Sequence, residues 1–167
     1  MGTEMGVIIL LFPPNDAVME FCEKSTGRKL EKIEADSDAV YAEEHTIDIS
    51  TFVPMVSRPG KPHDTVDIET EKKTRIDSGF IGSCTNGRME DMIAAAEILK
   101  GKFVHGDIRL IVIPGTQQIY KECMANGVFD AIIDSGGLVS TPTCGPCLGG
   151  HMGILAKGER ALSTTNR

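Results

Sequence analysis

The pattern of apolar and polar positions in the first third of the chain predicts a buried segment, a helix and a strand. Residues 7–12 form an unbroken apolar run, which is typical of a buried strand or core segment. Asn15 can cap a helix that runs to about Ser25, and Gly27 then ends it. Residues 46–53 alternate between apolar and polar positions, as a strand with one solvent-exposed face does.

The pattern is interrupted over residues 54–73. This stretch holds three prolines, a Pro59-Gly60 turn signal and a charged tail, all of which favour a loop or linker. We therefore expect an N-terminal α/β portion over residues 1–60, a linker over 61–74 and a second domain over 75–167.

Strand and helix patterns alternate more regularly after this linker. Predicted strands cover 76–81, 108–113 and 131–134, and predicted helices cover 88–100 and 117–126. Thr116 can cap the second of these helices, while Gly101 and Gly127 suit the residue after a helix C-terminus. The βαβαβ order predicts an α/β fold in which helices flank a parallel sheet and ligands bind at the carboxyl ends of its strands.

Composition narrows the possible partners. The chain has 24 acidic and 17 basic residues and a net charge of −7, without a Lys/Arg cluster that could neutralise a run of phosphates, so nucleic acid is not an expected partner. The apolar run at 7–12 is far shorter than the roughly 20 residues that cross a bilayer. An odd count of five cysteines argues against a secreted disulfide framework and for thiolate ligands in a reducing compartment, so we expect a cytoplasmic protein.

Three of the cysteines lie in glycine-rich segments that follow predicted strands. Cys84 lies within residues 82–87, after the first strand of the second domain, and Cys144 and Cys147 lie within residues 142–150, after the third. Parallel strands place such segments at one edge of the sheet, so the three thiolates are expected to converge. Neighbouring glycines allow backbone N–H groups to approach an inorganic cluster.

The number of ligands indicates the chemistry. Four cysteines close every iron of a four-iron cluster, whereas three leave one iron free to bind water or substrate oxygens as a Lewis acid. Two alternatives stay open, because CxxC also occurs in redox pairs and in zinc sites, for which His151 is the nearest fourth ligand. Cys22 and Cys123 lie in helical patterns and are interpreted as structural.

The two cysteine segments together resemble the signature of the aconitase family. Gly82-Ser83-Cys84-Thr85-Asn86 is followed about sixty residues later by Cys144-Gly145-Pro146-Cys147. Residues 1–6, 48–50, 114–115 and 165–167 also fall in the order shown by that family, so the resemblance covers nearly the whole chain. It implies an aconitase-like α/β fold, a parallel sheet flanked by helices with a smaller N-terminal α/β portion.

The same resemblance implies roles for individual residues. Cys84, Cys144 and Cys147 would hold a [4Fe–4S] cluster whose fourth iron binds substrate. Glu4 would be an acidic catalytic residue, Asn166 a hydrogen-bond donor near the cluster, and Arg167 a clamp for a substrate carboxylate.

Residues 148–159 are most similar to large subunits of the two-subunit microbial members of the family. The resemblance therefore implies a hydro-lyase of leucine biosynthesis that isomerises 2-isopropylmalate to 3-isopropylmalate, with homoaconitate or citrate as alternative substrates. A small swivelling subunit would be the partner, and the substrate would be a small hydroxy-dicarboxylic or hydroxy-tricarboxylic acid. The non-enzymatic alternative is a binding module that holds zinc or a cluster.

Members of the family also carry proton-transfer Asp and His residues before the match to Met1, and further substrate arginines after the match to Arg167. Met1 is therefore expected to be an internal position of a longer protein. The 167-residue chain alone is expected to be inactive.

Overall fold

A computed structural model of the chain describes residues 6–165. The chain divides into two compact units, Met1–Val53 and Pro54–Arg167. The architecture is α/β, with a parallel four-stranded sheet and flanking helices in the second unit, and the predicted fold class is confirmed.

The first unit contains the predicted N-terminal helix, α1 (Asp16–Thr26). The Asn15 side chain accepts a hydrogen bond from the Val18 amide at 2.9 Å, which satisfies one of the free donors at the helix start. Gly27 ends the helix with φ 66° and donates to the Glu23 carbonyl. Both predicted ends of this helix are confirmed.

The predictions of two strands in the first unit are wrong. Residues 7–12 and 46–53 form no strand, and the apolar run is exposed, with Ile8 at 104% of its reference accessibility. A strand requires a neighbouring strand for its backbone N–H and C=O groups. Among residues 6–53 no such pairing forms and no side chain is buried, so hydrophobicity alone does not produce a strand there.

The second unit begins with a small hairpin. Strand β1 (Met55–Ser57) pairs antiparallel with β2 (Thr65–Asp67), and the short helix α2 (Ile68–Glu71) follows directly. The stretch 61–74, predicted to be a linker, thus contains β2 and α2. The division into domains at 1–60, 61–74 and 75–167 stays a prediction.

The sheet of the second unit has four parallel strands. They are β3 (Ser78–Gly82), β4 (Arg109–Ile113), β5 (Leu138–Val139) and β6 (Ala161–Ser163), in the spatial order β5-β4-β3-β6. Gly82 is aligned with Ile113, so β3 and β4 end side by side. The predicted parallel sheet is confirmed, and its carboxyl edge carries the loops described below.

The segment predicted as the third strand, residues 131–134, is helical instead. It belongs to α6 (Val128–Asp134), and the third strand of the predicted series is β5, a few residues further on. Val128, Phe129 and Ile132 lie on one helical face and are buried. A short apolar run does not distinguish a strand from a buried helix, and here packing against the sheet selects the helix.

The two helices predicted after the linker are confirmed. They are α4 (Met89–Leu99) and α5 (Gln117–Ala125), and Thr116 caps α5 by accepting from the Ile119 amide. Two short elements, α3 (Ser83–Asn86) and a 3₁₀ helix (Gly145–Cys147), follow β3 and β5. Within residues 6–165, no helix combines the length and apolar character needed to cross a membrane.

The sheet is packed differently on its two faces. The larger core lies between the sheet and the helices α4, α5 and α6, and includes Leu110 and Val112 of β4 together with Met92 and Ile132. The smaller core consists of Phe80, Ile111 and Ile113, and the residue packed against it is Cys147. Alternation along the strands therefore directs one set of side chains to the helices and the other to a cysteine segment.

An ion pair connects the beginning of β4 to the segment before β6. Both terminal nitrogens of Arg109 contact the Glu159 carboxylate, at 3.3 and 2.8 Å. Glu159 also accepts from the Ala156 amide at 2.8 Å. The hydrogen bond from Arg109, followed by that from Ala156, lowers the pKa of Glu159.

Candidate metal centre

Cys84 lies just beyond β3, in the first turn of α3. The turn depends on Gly82, whose φ of 116° is rarely adopted by residues with side chains. A Cβ atom at Gly82 would lie 1.9 Å from the backbone oxygen of Ile113. Glycine therefore allows the chain to leave β3 against the end of β4, and the Cys84 side chain is exposed there.

A second close backbone approach fixes the loop that carries Cys84. The Gly115 amide donates to the Gly87 carbonyl at 2.7 Å. A Cβ atom at Gly87 would lie 2.3 Å from the Ser83 oxygen and 2.6 Å from the Gly115 nitrogen. The loop after β3 is thus held directly against the loop after β4.

Cys144 and Cys147 flank a tight turn that contains Gly145 and Pro146. The Cys147 amide donates to the Cys144 carbonyl at 3.0 Å, closing the turn. Cys144 is exposed, whereas Cys147 is half-buried against the smaller core. Gly145 has φ 50°, and a Cβ atom there would lie 2.5 Å from Cδ1 of Ile113.

Ile113, the last residue of β4, is the common neighbour of both cysteine segments. Its backbone oxygen lies against Gly82, two residues before Cys84, and its side chain lies against Gly145, next to Cys144. The three thiols therefore belong to segments on the same edge of the sheet. All five cysteines are free, so these three are available as ligands.

The three thiols do not form a site for one metal ion. Within residues 6–165, no three His, Cys, Asp or Glu side chains are grouped so that they could hold one. The ligands of an iron–sulfur cluster need not all surround one metal ion, because each cysteine binds a different iron. Three free thiols beside glycine backbone, on one sheet edge, are a donor set that fits an iron–sulfur cluster.

The segment after β6 reaches the same edge. The Gly82 amide donates to Oγ1 of Thr164 at 3.1 Å, and the Thr164 amide donates to the Phe80 carbonyl at 3.0 Å. Thr164 was not predicted from the sequence, because its contact with Gly82 joins residues 82 positions apart. The predicted site residues Glu4, Asn166 and Arg167 lie outside the described residues.

Ser83 is a second residue that the sequence did not single out. It has φ 63°, is 2% exposed, and its Oγ has no hydrogen-bond partner among the described residues. Strained backbone and unpaired buried hydroxyls are both uncommon, and strain of this kind clusters at functional sites. The sequence signal that could have identified Ser83 is its position next to Cys84. Its left-handed backbone conformation has no sequence signature.

His151, the alternative zinc ligand, is engaged in a hydrogen bond. Its Nε2 lies 2.9 Å from Oγ1 of Thr143. A zinc site that used His151 with Cys144 and Cys147 would have to replace this contact or use Nδ1.

The remaining cysteines have different surroundings. Cys123 is fully buried in the larger core, with its sulfur 3.7 Å from that of Met89, and this burial raises the pKa of its thiol. A buried thiol with a raised pKa is a poor ligand, which agrees with its predicted structural role. Cys22 is half-buried within α1.

Two cavities in the second unit lie apart from the three thiols. One of about 510 Å³ is lined by α4, α6 and the loop containing Phe103. Another of about 310 Å³ lies between β4, β5 and residues 152–154. Neither lining includes a cysteine or a histidine, so we locate the candidate site at the sheet edge and not in either cavity.

Comparison with known proteins agrees with the family resemblance of the sequence. The model of the aconitase family (aconitate hydratase) matches residues 1–167. The chain is 51% identical to the 3-isopropylmalate dehydratase large subunit of Desulfitobacterium hafniense and 50% identical to that of Acetivibrio thermocellus. It is 44% identical to the 3-isopropylmalate dehydratase large subunit 1 of Methanopyrus kandleri. Each match covers the whole chain, which spans 40% of the length of these relatives.

Proposed function

Because the chain belongs to the aconitase family, we propose that it carries the iron–sulfur cluster of a hydro-lyase that isomerises 2-isopropylmalate to 3-isopropylmalate in leucine biosynthesis. The observation that carries the proposal is the contact of both cysteine segments with Ile113. The names and the identity of the relatives support the choice of reaction.

Cys84, Cys144 and Cys147 are the proposed ligands of a [4Fe–4S] cluster. With three protein ligands, one iron of the bound cluster is free to act as a Lewis acid toward a hydroxyl and a carboxylate of the substrate. The exposed side chains of Cys84 and Cys144 face solvent, from which both cluster and substrate arrive. Cys147 joins the cluster to the sheet, because it packs on the smaller core.

Three further residues are proposed to act on the substrate. Glu4 is the acidic catalytic residue, Asn166 donates a hydrogen bond near the cluster, and Arg167 binds a substrate carboxylate. A guanidinium forms two parallel hydrogen bonds with a carboxylate, which orients it as well as binding it. Support for Asn166 comes from its position in the sequence, two residues after Thr164. Oγ1 of Thr164 accepts a hydrogen bond from the amide of Gly82, which lies two residues before Cys84.

The relatives are called large subunits, and we propose that this protein likewise works with a small subunit. Its substrate is a small hydroxy-dicarboxylic or hydroxy-tricarboxylic acid. The cytoplasm is its proposed compartment, because free thiolate ligands require a reducing environment.

Anaerobic reconstitution tests the metal centre. The protein is supplied with iron and sulfide, and bound iron and acid-labile sulfide are counted per chain. We expect four irons per chain, and loss of this species when any one of Cys84, Cys144 or Cys147 is changed to Ser. Cys22→Ser is the matched control and should retain the cluster. One zinc per chain, or loss of the cluster in the Cys22→Ser variant alone, would contradict the proposed site.

The reaction is tested with the full-length protein and its small subunit. Dehydration of isopropylmalate is compared with that of homocitrate and citrate under the same anaerobic conditions. Isopropylmalate should show the highest kcat/KM. A preference for citrate or homocitrate would assign the protein to another reaction of the same family.

A further inference from the structure

Ser83 combines two features that are each costly to stability. Its Oγ is buried and has no hydrogen-bond partner among the described residues, and its backbone lies in the left-handed region at φ 63°. An unsatisfied buried hydroxyl and a strained non-glycine residue persist when the surroundings impose them. Here Gly82 and Gly87 impose the conformation, because Gly82 lies against the backbone of Ile113 at the end of β4 and Gly87 against that of Gly115 in the loop that follows.

The position of Ser83 suggests the partner of its hydroxyl. Ser83 directly precedes Cys84 in α3, and consecutive Cα atoms are about 3.8 Å apart, so the serine is the chain neighbour of a proposed cluster ligand. A thiol is a weak acceptor, whereas an iron-bound thiolate carries negative charge and accepts strongly. The hydroxyl thus acquires its acceptor when Cys84 becomes a ligand.

We propose that Ser83 is a positioning residue for the cluster, and that its hydroxyl donates a hydrogen bond to the sulfur of Cys84 when that thiolate is bound to iron. The inference rests on the proposed function, since it requires a cluster on Cys84. Hydrogen bonds to cluster sulfurs favour the more negatively charged, reduced state and so raise the reduction potential. They also hold the ligand in place.

Ser78, the first residue of β3, provides a matched control. It too is 2% exposed, but its Oγ donates to the Arg109 carbonyl at 3.1 Å, at the end of β3 away from Cys84. Ser78→Ala removes a satisfied buried hydrogen bond, whereas Ser83→Ala removes an unsatisfied hydroxyl. In the protein without its cluster, Ser78→Ala should therefore lower the stability of the fold, whereas Ser83→Ala should not.

The experiment compares the two variants with the wild-type full-length protein, with and without reconstituted cluster. Without the cluster, Ser83→Ala should unfold at the same or a higher denaturant concentration than wild type, and Ser78→Ala at a lower one. With the cluster, Ser83→Ala should lower the reduction potential and lose iron to a chelator roughly tenfold faster, the factor expected for one hydrogen bond to a charged group. Ser78→Ala should change neither quantity.

A spectroscopic measurement completes the test. The Fe–S stretching bands of the wild-type cluster should shift in D₂O, and this shift should be smaller in Ser83→Ala, because the exchangeable proton that the Ser83 hydroxyl donates to the Cys84 sulfur is lost while backbone N–H donors remain. If Ser83→Ala destabilises the cluster-free protein as Ser78→Ala does, or keeps the wild-type potential and rate of iron loss, the inference is wrong. Failure of the wild type to bind any cluster would overturn the proposed function as well.

Discussion

Replacement of Gly82 by alanine should disrupt the candidate site more strongly than any replacement of an exposed glycine. The new Cβ would lie 1.9 Å from the Ile113 backbone oxygen and 2.8 Å from its carbonyl carbon, and neither atom can move without displacing β4. The alanine would also have to adopt φ 116°. Backbone strain and overpacking together should lower the free energy of unfolding by about 4 kcal/mol.

Gly101→Ala is the matched control, because Gly101 also has a positive φ of 71° but nothing lies within 4 Å of a Cβ atom there. It should lose only about 1 kcal/mol, the cost of the left-handed conformation for a non-glycine residue. Urea unfolding followed by circular dichroism measures both losses. Since Ile113 also contacts Gly145, we expect Gly82→Ala to reduce iron incorporation while Gly101→Ala does not. Equal destabilisation by the two substitutions would refute the assigned packing of Gly82 on β4.

Three other predictions follow from the packing and the charges. Ile132→Ala should lower the free energy of unfolding by about 2–5 kcal/mol in the same urea assay, because Ile132 is fully buried, and a loss below 1 kcal/mol would contradict its place in the core. Alkylation followed by mass spectrometry should modify Cys84 of the cluster-free native protein quickly but Cys123 only on unfolding, since Cys123 is buried with a raised pKa; equal rates would contradict this. The pKa of Glu159 is lowered in the folded state by Arg109, so this carboxylate stabilises the fold at neutral pH, and its contribution is lost as the pH falls through that lowered pKa. Glu159→Gln should therefore flatten the acidic part of the pH–stability profile, and an unchanged profile would show that the pair contributes nothing.

Local sequence signals predicted those elements whose ends are set by side chains next to them in the chain. The caps at Asn15 and Thr116 and the turn at Gly27 formed as expected, because each depends on contacts within about four residues. The helix α4 was also predicted, since its apolar positions recur along one face.

The wrong predictions concern segments whose conformation depends on a distant partner. Residues 7–12 are as apolar as a buried strand, but no strand pairs with them among residues 6–53. Residues 131–134 were predicted to be a strand, but a short apolar run is also compatible with a helix, and the burial of Ile132 in the core with β4, α4 and α5 favours the helix.

For the candidate site, the sequence by itself determined which residues could act as ligands, because three cysteines beside glycines after predicted strands are visible without a fold. Only the tertiary structure decided that Ile113 joins the two cysteine segments, that Thr164 reaches Gly82, and that Ser83 is buried and strained. The physical reason is that parallel pairing brings together strand ends that are far apart in the chain, with Gly82 set beside Ile113. Contacts made in this way depend on register and on backbone approach, neither of which leaves a local pattern in the sequence.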